Sequence, residues 1–177
     1  MLKIFLLAGL LMSPMIEAQT PGEKTPVMDY KTEKQGKKFF IGIEVRTNNQ
    51  ECVPHMQKLW ERFYTEGLLE KIPHKVNNTI YAVYTDYEGD FTKPYTYILS
   101  CEVSSLKDIP EGFVGKEVPA ASYAVYTTQG HYPQGLVAAW QAIWQCPFKR
   151  AYTTDFEVYR PDFNPQSNPE VKIYIAL

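Results

Sequence analysis

Ile80-Tyr-Ala-Val-Tyr-Thr-Asp-Tyr87 and Asp155-Phe-Glu-Val-Tyr-Arg160 are the two stretches on which the fold turns. Both are dense in β-branched and aromatic residues, the composition of a strand that packs on a pleated surface. They also end alike, Ala82-Val83-Tyr84 against Glu157-Val158-Tyr159. The segments around them follow one order. Residues 39–45 (Phe-Phe-Ile-Gly-Ile-Glu-Val) predict a strand, and residues 54–66 carry Met56, Leu59, Trp60 and Phe63 at helical spacing. Pro54 suits a first helical turn, where no N–H is needed. After residues 80–87, the turn residues Glu88-Gly-Asp90 and Pro94 lead into a second strand over 95–103. The second half repeats this as a strand at 122–128, a helix at 135–145 with Val137, Trp140, Ile143 and Trp144 on its apolar side, and strands at 155–160 and 171–176. Two β-α-β-β units therefore predict an α+β fold: one antiparallel sheet, two main helices packed on one face, and a ligand cleft on the other.

Side chains alternate across a strand, so Asp155, Glu157 and Tyr159 share one face and Phe156 and Val158 the other. With Phe156 and Val158 expected to meet the helices, Glu157 and Tyr159 are expected on the opposite, cleft-forming face. Tyr84 points the same way in the repeat register, and Tyr174, alternating with Ile173 and Ile175, joins them. Tyr95 and Tyr97 share one face of their own strand. Trp60 and Trp140 sit at apolar helix positions from which a ring edge reaches the cleft.

The chain has 177 residues, 45% hydrophobic, 21% charged and 14% aromatic, the profile of one globular domain. With 18 Lys and Arg against 20 Asp and Glu, the formal charge is −2. That leaves no broad basic surface for a phosphate backbone, and no nucleic-acid partner is expected. Thirteen Tyr, nine Phe and three Trp make 25 aromatic residues, more than a core of this size needs, each buried Tyr hydroxyl requires a partner, and the excess points to a ligand pocket.

Residues 1–18 read as a secretory signal peptide: Lys3, an apolar run over 4–12, Ser13 and Pro14, then a small-residue site at Ala18. The run is about half the roughly 20 residues of a membrane span, so no stable span is expected after leader removal, and the location is periplasmic or secreted. Residues 19–37, rich in Lys, Thr, Pro and Gly, predict a polar tether, which leaves 38–177 as the folded domain. Cys52, Cys101 and Cys146 fit either three buried thiols or one disulfide with a thiol left over. His55, His74 and His131 form no metal-ligand spacing. There is no phosphate loop, nucleophile elbow or zinc-protease motif, so neither metal nor cofactor is expected.

Five ordered segments then carry a resemblance: residues 81–97, Ile109-Pro-Glu-Gly-Phe113, Val118-Pro-Ala-Ala-Ser-Tyr123-Ala-Val-Tyr126, Trp140-Gln-Ala-Ile-Trp144 and Asp155-Phe-Glu157-Val-Tyr159. Together they resemble the GyrI-like small-molecule-binding domain of AraC-type and BmrR-type regulators, which belongs to a SOUL-like superfamily and also occurs alone in integron cassette effector-binding proteins. The likeness spans residues 38–177. It implies a duplicated β-α-β-β fold with a ligand cleft between the halves, and a pocket glutamate that pairs with cationic lipophilic ligands. That glutamate falls at Glu157, with Tyr84 and Tyr159 as ring neighbours. No helix-turn-helix region accompanies the domain here, and the leader departs from the cytosolic setting of most relatives.

The expected function is an exported module that binds an amphipathic, cationic small molecule through Glu157, Tyr159, Tyr84, Tyr97, Tyr95, Tyr174, Trp140 and Trp60. The absence of a nucleophile–base pair favours binding over catalysis. Two alternatives stand beside it: a GyrI-like hydrolase of strained electrophiles with Glu157 as base, and a protein–protein interaction module.

Overall fold

The computed structural model describes residues 30–167 and 169–177; the leader and most of the tether lie outside them. Eight strands form one antiparallel sheet. They are β1 (Lys31–Gln35), β2 (Lys38–Thr47), β3 (Lys75–Thr85), β4 (Tyr95–Val103), β5 (Val114–Val118), β6 (Ala121–Thr127), β7 (Thr154–Tyr159) and β8 (Lys172–Ala176). Their order across the sheet is β1-β6-β8-β7-β3-β4-β2-β5. The helices are α1 (Cys52–Thr65), the single turn α2 (Leu68–Lys71) and α3 (Gln134–Gln145).

This order is that of a duplicated unit, β2-α1-β3-β4 and β6-α3-β7-β8, joined at the centre by the β3–β7 pair. The pairing sets Ile80 opposite Tyr159, Ala82 opposite Glu157 and Tyr84 opposite Asp155. Aligning the runs Ala82-Val83-Tyr84 and Glu157-Val158-Tyr159 sets Tyr84 against Tyr159 and Ala82 against Glu157, and because Ala82 and Glu157 are also cross-strand partners, the register fits a pseudo-two-fold axis between β3 and β7. The outermost strands complete the symmetry, β5 beside β2 and β1 beside β6.

The β1 strand corrects the tether boundary at residue 37. Lys31 to Gln35 pair with Val125 to Ala121, so the polar segment of 19–37 gives its last part to the sheet. The sequence is Lys-rich because an edge strand needs only its backbone paired and keeps its side chains in water.

Local chemistry sets the helix ends. The Asn48 side-chain oxygen accepts from the backbone N–H groups of Gln50 (2.8 Å) and Glu51 (3.0 Å), turning the chain into α1. Gly67, at φ 59°, closes α1 in the left-handed region that disfavours other residues. At the start of α3, a Cβ on Gly135 would collide with the Gln129 carbonyl, so only glycine lets the preceding loop pack that closely.

Both sheet faces bury a hydrophobic cluster. On one, α1 and α3 bury Leu59, Phe63, Trp140 and Ile143 against Ile41, Ala82, Tyr84, Tyr97, Tyr159 and Ile173. Each fully buried side chain of this size contributes about 1.5–3 kcal/mol. The other face is built from strands alone, with Phe40, Tyr81, Val83, Tyr123 and Phe156 at its centre. Phe40 of β2 and Phe156 of β7 are three strands apart, about 14 Å in a flat sheet, yet their ring centroids lie 6.2 Å apart. The sheet therefore curls until its strand-only face packs against itself.

Candidate functional site

The curl decides where an open volume remains. The strand-only face has closed, and the cleft opens on the helix side, between α1 and α3 over the central strands, with a volume of about 730 Å³ that includes space open to solvent. Helix α1 supplies Val53, Met56, Gln57 and Trp60, and α3 supplies Leu136 and Val137. Tyr84 and Tyr97 come from the sheet of the first half, Glu157 and Tyr159 from that of the second, and Tyr132 and Phe163 from loops.

This reverses the expected sidedness. Glu157 faces the helices, and Phe156 faces away, stacked on Tyr174 with ring centroids 4.6 Å apart. Tyr174 is therefore not part of the cleft. Its β8 register explains why, since Tyr174 pairs with Phe156 whereas Ile173 pairs with Glu157.

Glu157 is 2% exposed at the floor of the cleft. The Tyr84 hydroxyl (2.9 Å) and the Trp140 indole N–H (2.6 Å) donate to Oε1, and the Tyr159 hydroxyl donates to Oε2 (2.6 Å). The two tyrosines are the pair related by the pseudo-two-fold axis. The space the carboxyl group occupies exists because its counterpart and cross-strand partner is Ala82. Trp60, the α1 counterpart of Trp140 in bringing a tryptophan to the site, donates its indole N–H to the Tyr97 hydroxyl at 2.9 Å.

Burial pushes the Glu157 carboxyl above its ordinary value, against the opposing effect of hydrogen bonds from Tyr159, Trp140 and Tyr84. Every donor is neutral, and the described residues lining the cleft include no Lys, Arg or His. Tyr84, Tyr97 and Tyr159 titrate well above the ordinary tyrosine range, first through burial and then through the Glu157 charge, so they remain protonated.

Of the residues picked from sequence, Glu157, Tyr159, Tyr84, Tyr97 and Trp60 line this cleft. Trp140 backs it through its bond to Glu157 and, with Tyr95, lines a smaller pocket behind Tyr84. The sequence reading missed Met56, Gln57, Leu136 and Val137 as lining residues. Their one signal is position, on the helix faces next to Trp60 and Trp140. It also missed a buried ion pair beside the site. Arg150 donates to Asp155 at 2.7 Å, with their side chains 4% and 0% exposed. Asp155 further accepts from the Tyr87 hydroxyl (2.7 Å) and the Ala176 backbone N–H (2.8 Å). Cys52 and Cys101 are buried thiols and Cys146 is half-buried; none of the three is in a disulfide among the described residues.

An integron cassette protein from the mobile metagenome of Vibrio cholerae has 30% sequence identity, with a TM-score of 0.66 over 83% of this chain and 94% of that one. SAV2435, whose structure holds tetraphenylphosphonium, shares the fold at a TM-score of 0.69 and 16% identity, over 84% of this chain and 93% of that one. Among curated proteins, the transcriptional regulator BrlR of Pseudomonas aeruginosa is 30% identical over 129 residues. That alignment takes in 68% of this chain and 45% of BrlR, so the likeness spans about half of the regulator. The family model for integron-associated effector binding proteins matches residues 33–177, which takes in both halves, the cleft and Glu157: the chain belongs to the integron-associated effector binding protein family.

Proposed function

We propose that this protein is a receptor for amphipathic organic cations, exported under the direction of residues 1–18 and acting without contact to nucleic acid. The observation that carries the reading is Glu157, a buried carboxyl group whose hydrogen-bond partners are all neutral. A ligand cation entering the aromatic cleft would complete the missing charge pair, and ring faces would add about 0.5–2 kcal/mol each. Tetraphenylphosphonium, bound by SAV2435, belongs to this class of compound.

The geometry favours binding over hydrolysis. A carboxylate offers about four lone-pair positions, and Tyr84, Trp140 and Tyr159 occupy three of those on Glu157. A general base would have to take a proton from water at the one left.

The test is calorimetric titration with tetraphenylphosphonium and with a neutral triaryl compound of similar size, on the native sequence and on Glu157→Gln. Selective binding of the cation, lost in the variant, is expected. Equal binding of both compounds would overturn the role of Glu157, and no binding of either would turn attention to a protein partner. Export predicts that the protein recovered from outside the cytoplasm begins near Gln19, which mass spectrometry reads directly.

A further inference from the structure

The two halves of the cleft correspond closely until their polar groups are compared. Aligning Trp60 with Trp140 sets Val53 against Pro133, Met56 against Leu136 and Gln57 against Val137, and all six of these residues line the cleft. On the sheet, Leu99 pairs with Ala82 as Ile173 pairs with Glu157, so two residues earlier Tyr97 corresponds to Val171. The second half therefore carries a carboxyl group where the first has a methyl. The first half carries an amide and a hydroxyl where the second has two valines.

The polar groups of the first half keep hydrogen-bonding capacity to spare. Gln57 interrupts the apolar stripe Val53, Met56 and Trp60 of α1 and is half-buried. Its side-chain amide has no hydrogen-bond partner among the described residues. Tyr97 is 1% exposed. Its oxygen accepts from the Trp60 indole N–H at 2.9 Å, which leaves the hydroxyl hydrogen to donate, and no described residue accepts it. A donor on so buried a residue is costly to leave unmade. Both groups are neutral, and an anionic oxygen brought to them would share the cleft with the Glu157 carboxyl group. What they lack is an uncharged acceptor.

We infer that the ligand has two poles: an organic cation for Glu157, and on the same apolar body a neutral acceptor oxygen, of an ether or a carbonyl, seated against the Tyr97 hydroxyl and the Gln57 amide. The inference rests on the reading of Glu157 as the cation site and adds a specificity element from the other half of the chain. A purely hydrocarbon cation satisfies one pole and leaves the second to water.

The experiment is calorimetric titration with two pairs of phosphonium ions matched in size and charge. (Methoxymethyl)triphenylphosphonium is compared with its propyl match, and (2-methoxyethyl)triphenylphosphonium with its butyl match. Each ether differs from its partner by one oxygen in place of a methylene. An aromatic cleft without a second pole would favour the alkyl members. Here at least one ether is expected to bind about threefold to tenfold more tightly than its match, the worth of one neutral hydrogen bond. Tyr97→Phe, which removes the hydroxyl and keeps the ring, is expected to bring that ratio to one or below, and Gln57→Met, which keeps the length and removes the amide, to at least halve it. The ratio is taken within each protein, so a general loss of affinity in a variant does not enter it. Alkyl members that bind as tightly as both ethers, or a ratio unchanged in both variants, would overturn the proposal. Glu157→Gln is expected to weaken all four compounds while keeping the ratio. Loss of the ether preference with cation selectivity retained is failure of this inference alone, whereas equal binding of tetraphenylphosphonium and its neutral analogue is failure of the Glu157 reading beneath it.

Discussion

The burial of Glu157 sets a measurable pH dependence on the stability of the ligand-free protein. Its carboxyl group titrates above the ordinary value of 4.5, with burial the largest cause. The folded state then holds this proton more tightly than the unfolded state. The resulting stabilisation is complete below about pH 4.5 and is lost as pH rises through the folded-state value. One group titrating between the two states contributes a slope approaching 1.4 kcal/mol per pH unit within that window. For a domain of this size, about 2–4 °C per kcal/mol, this is about 3–6 °C per pH unit. Replacing Glu157 by Gln removes the titration and keeps an oxygen to accept from Tyr84 and Trp140. The difference in melting temperature between Glu157→Gln and the native sequence, which cancels every other titrating group, should therefore grow with pH in favour of the variant. A saturating organic cation should narrow the difference, because the bound cation stabilises the ionised carboxylate. At about 5 Å and an effective dielectric constant of about 20, that attraction is about 3 kcal/mol, or roughly a hundredfold in affinity. Scanning calorimetry from pH 4 to 8, with and without tetraphenylphosphonium, reads both effects. Parallel melting curves for the two proteins, or a difference that grows as pH falls, would refute the reasoning.

Further expectations concern the frame around the site. Asp155→Asn leaves the Arg150 charge buried without its partner and should cost about 3–5 kcal/mol in urea unfolding; a loss below about 1 kcal/mol would mean that the pair is solvated. Deleting residues 1–37 removes β1 and opens the edge of β6, so this form should melt lower than one that begins at Tyr30. Equal melting would show that β1 adds nothing. Burial pushes the Cys52 thiol up and Cys101 up to about 12, so iodoacetamide should label the half-buried Cys146 first in the folded protein, which peptide mapping follows. Early labelling of Cys101 would contradict its place in the core.

The repeat was legible because aromatic and β-branched runs recur in the same order around two helices, and Glu157 stood out as a carboxylate within a strand otherwise suited to burial. Its face was misread for a physical reason. Polar alternation indicates the wet side only where a sheet has one, and here curling buries Phe156 on the strand-only face while Tyr84, Trp140 and Tyr159 satisfy a carboxyl group on the helix face. The short edge strands β1 and β5 were missed because Lys31-Thr-Glu-Lys-Gln35 and Val114-Gly-Lys-Glu-Val118 carry the charges that suit an edge and mimic a loop. Arg150 follows Lys149 and reads as surface charge. Only the pairing of β7 with β3 and β8, which buries Asp155, brings its partner into view.

The meeting of Ala82 with Glu157 at the axis has a consequence for how such a receptor can arise. Two identical half-chains assembled as a symmetric dimer would place the same residue on both sides. A glutamate there would face its own copy, with Cβ atoms about 4.5–5.5 Å apart, and like-charge repulsion would force the two carboxyl groups to share a proton. An alanine would leave the dimer with no charge at all. Joining the halves in one polypeptide frees the two positions to diverge. A single negative charge at the centre of a nearly symmetric molecule is available to a fused duplicate and denied to a homodimer.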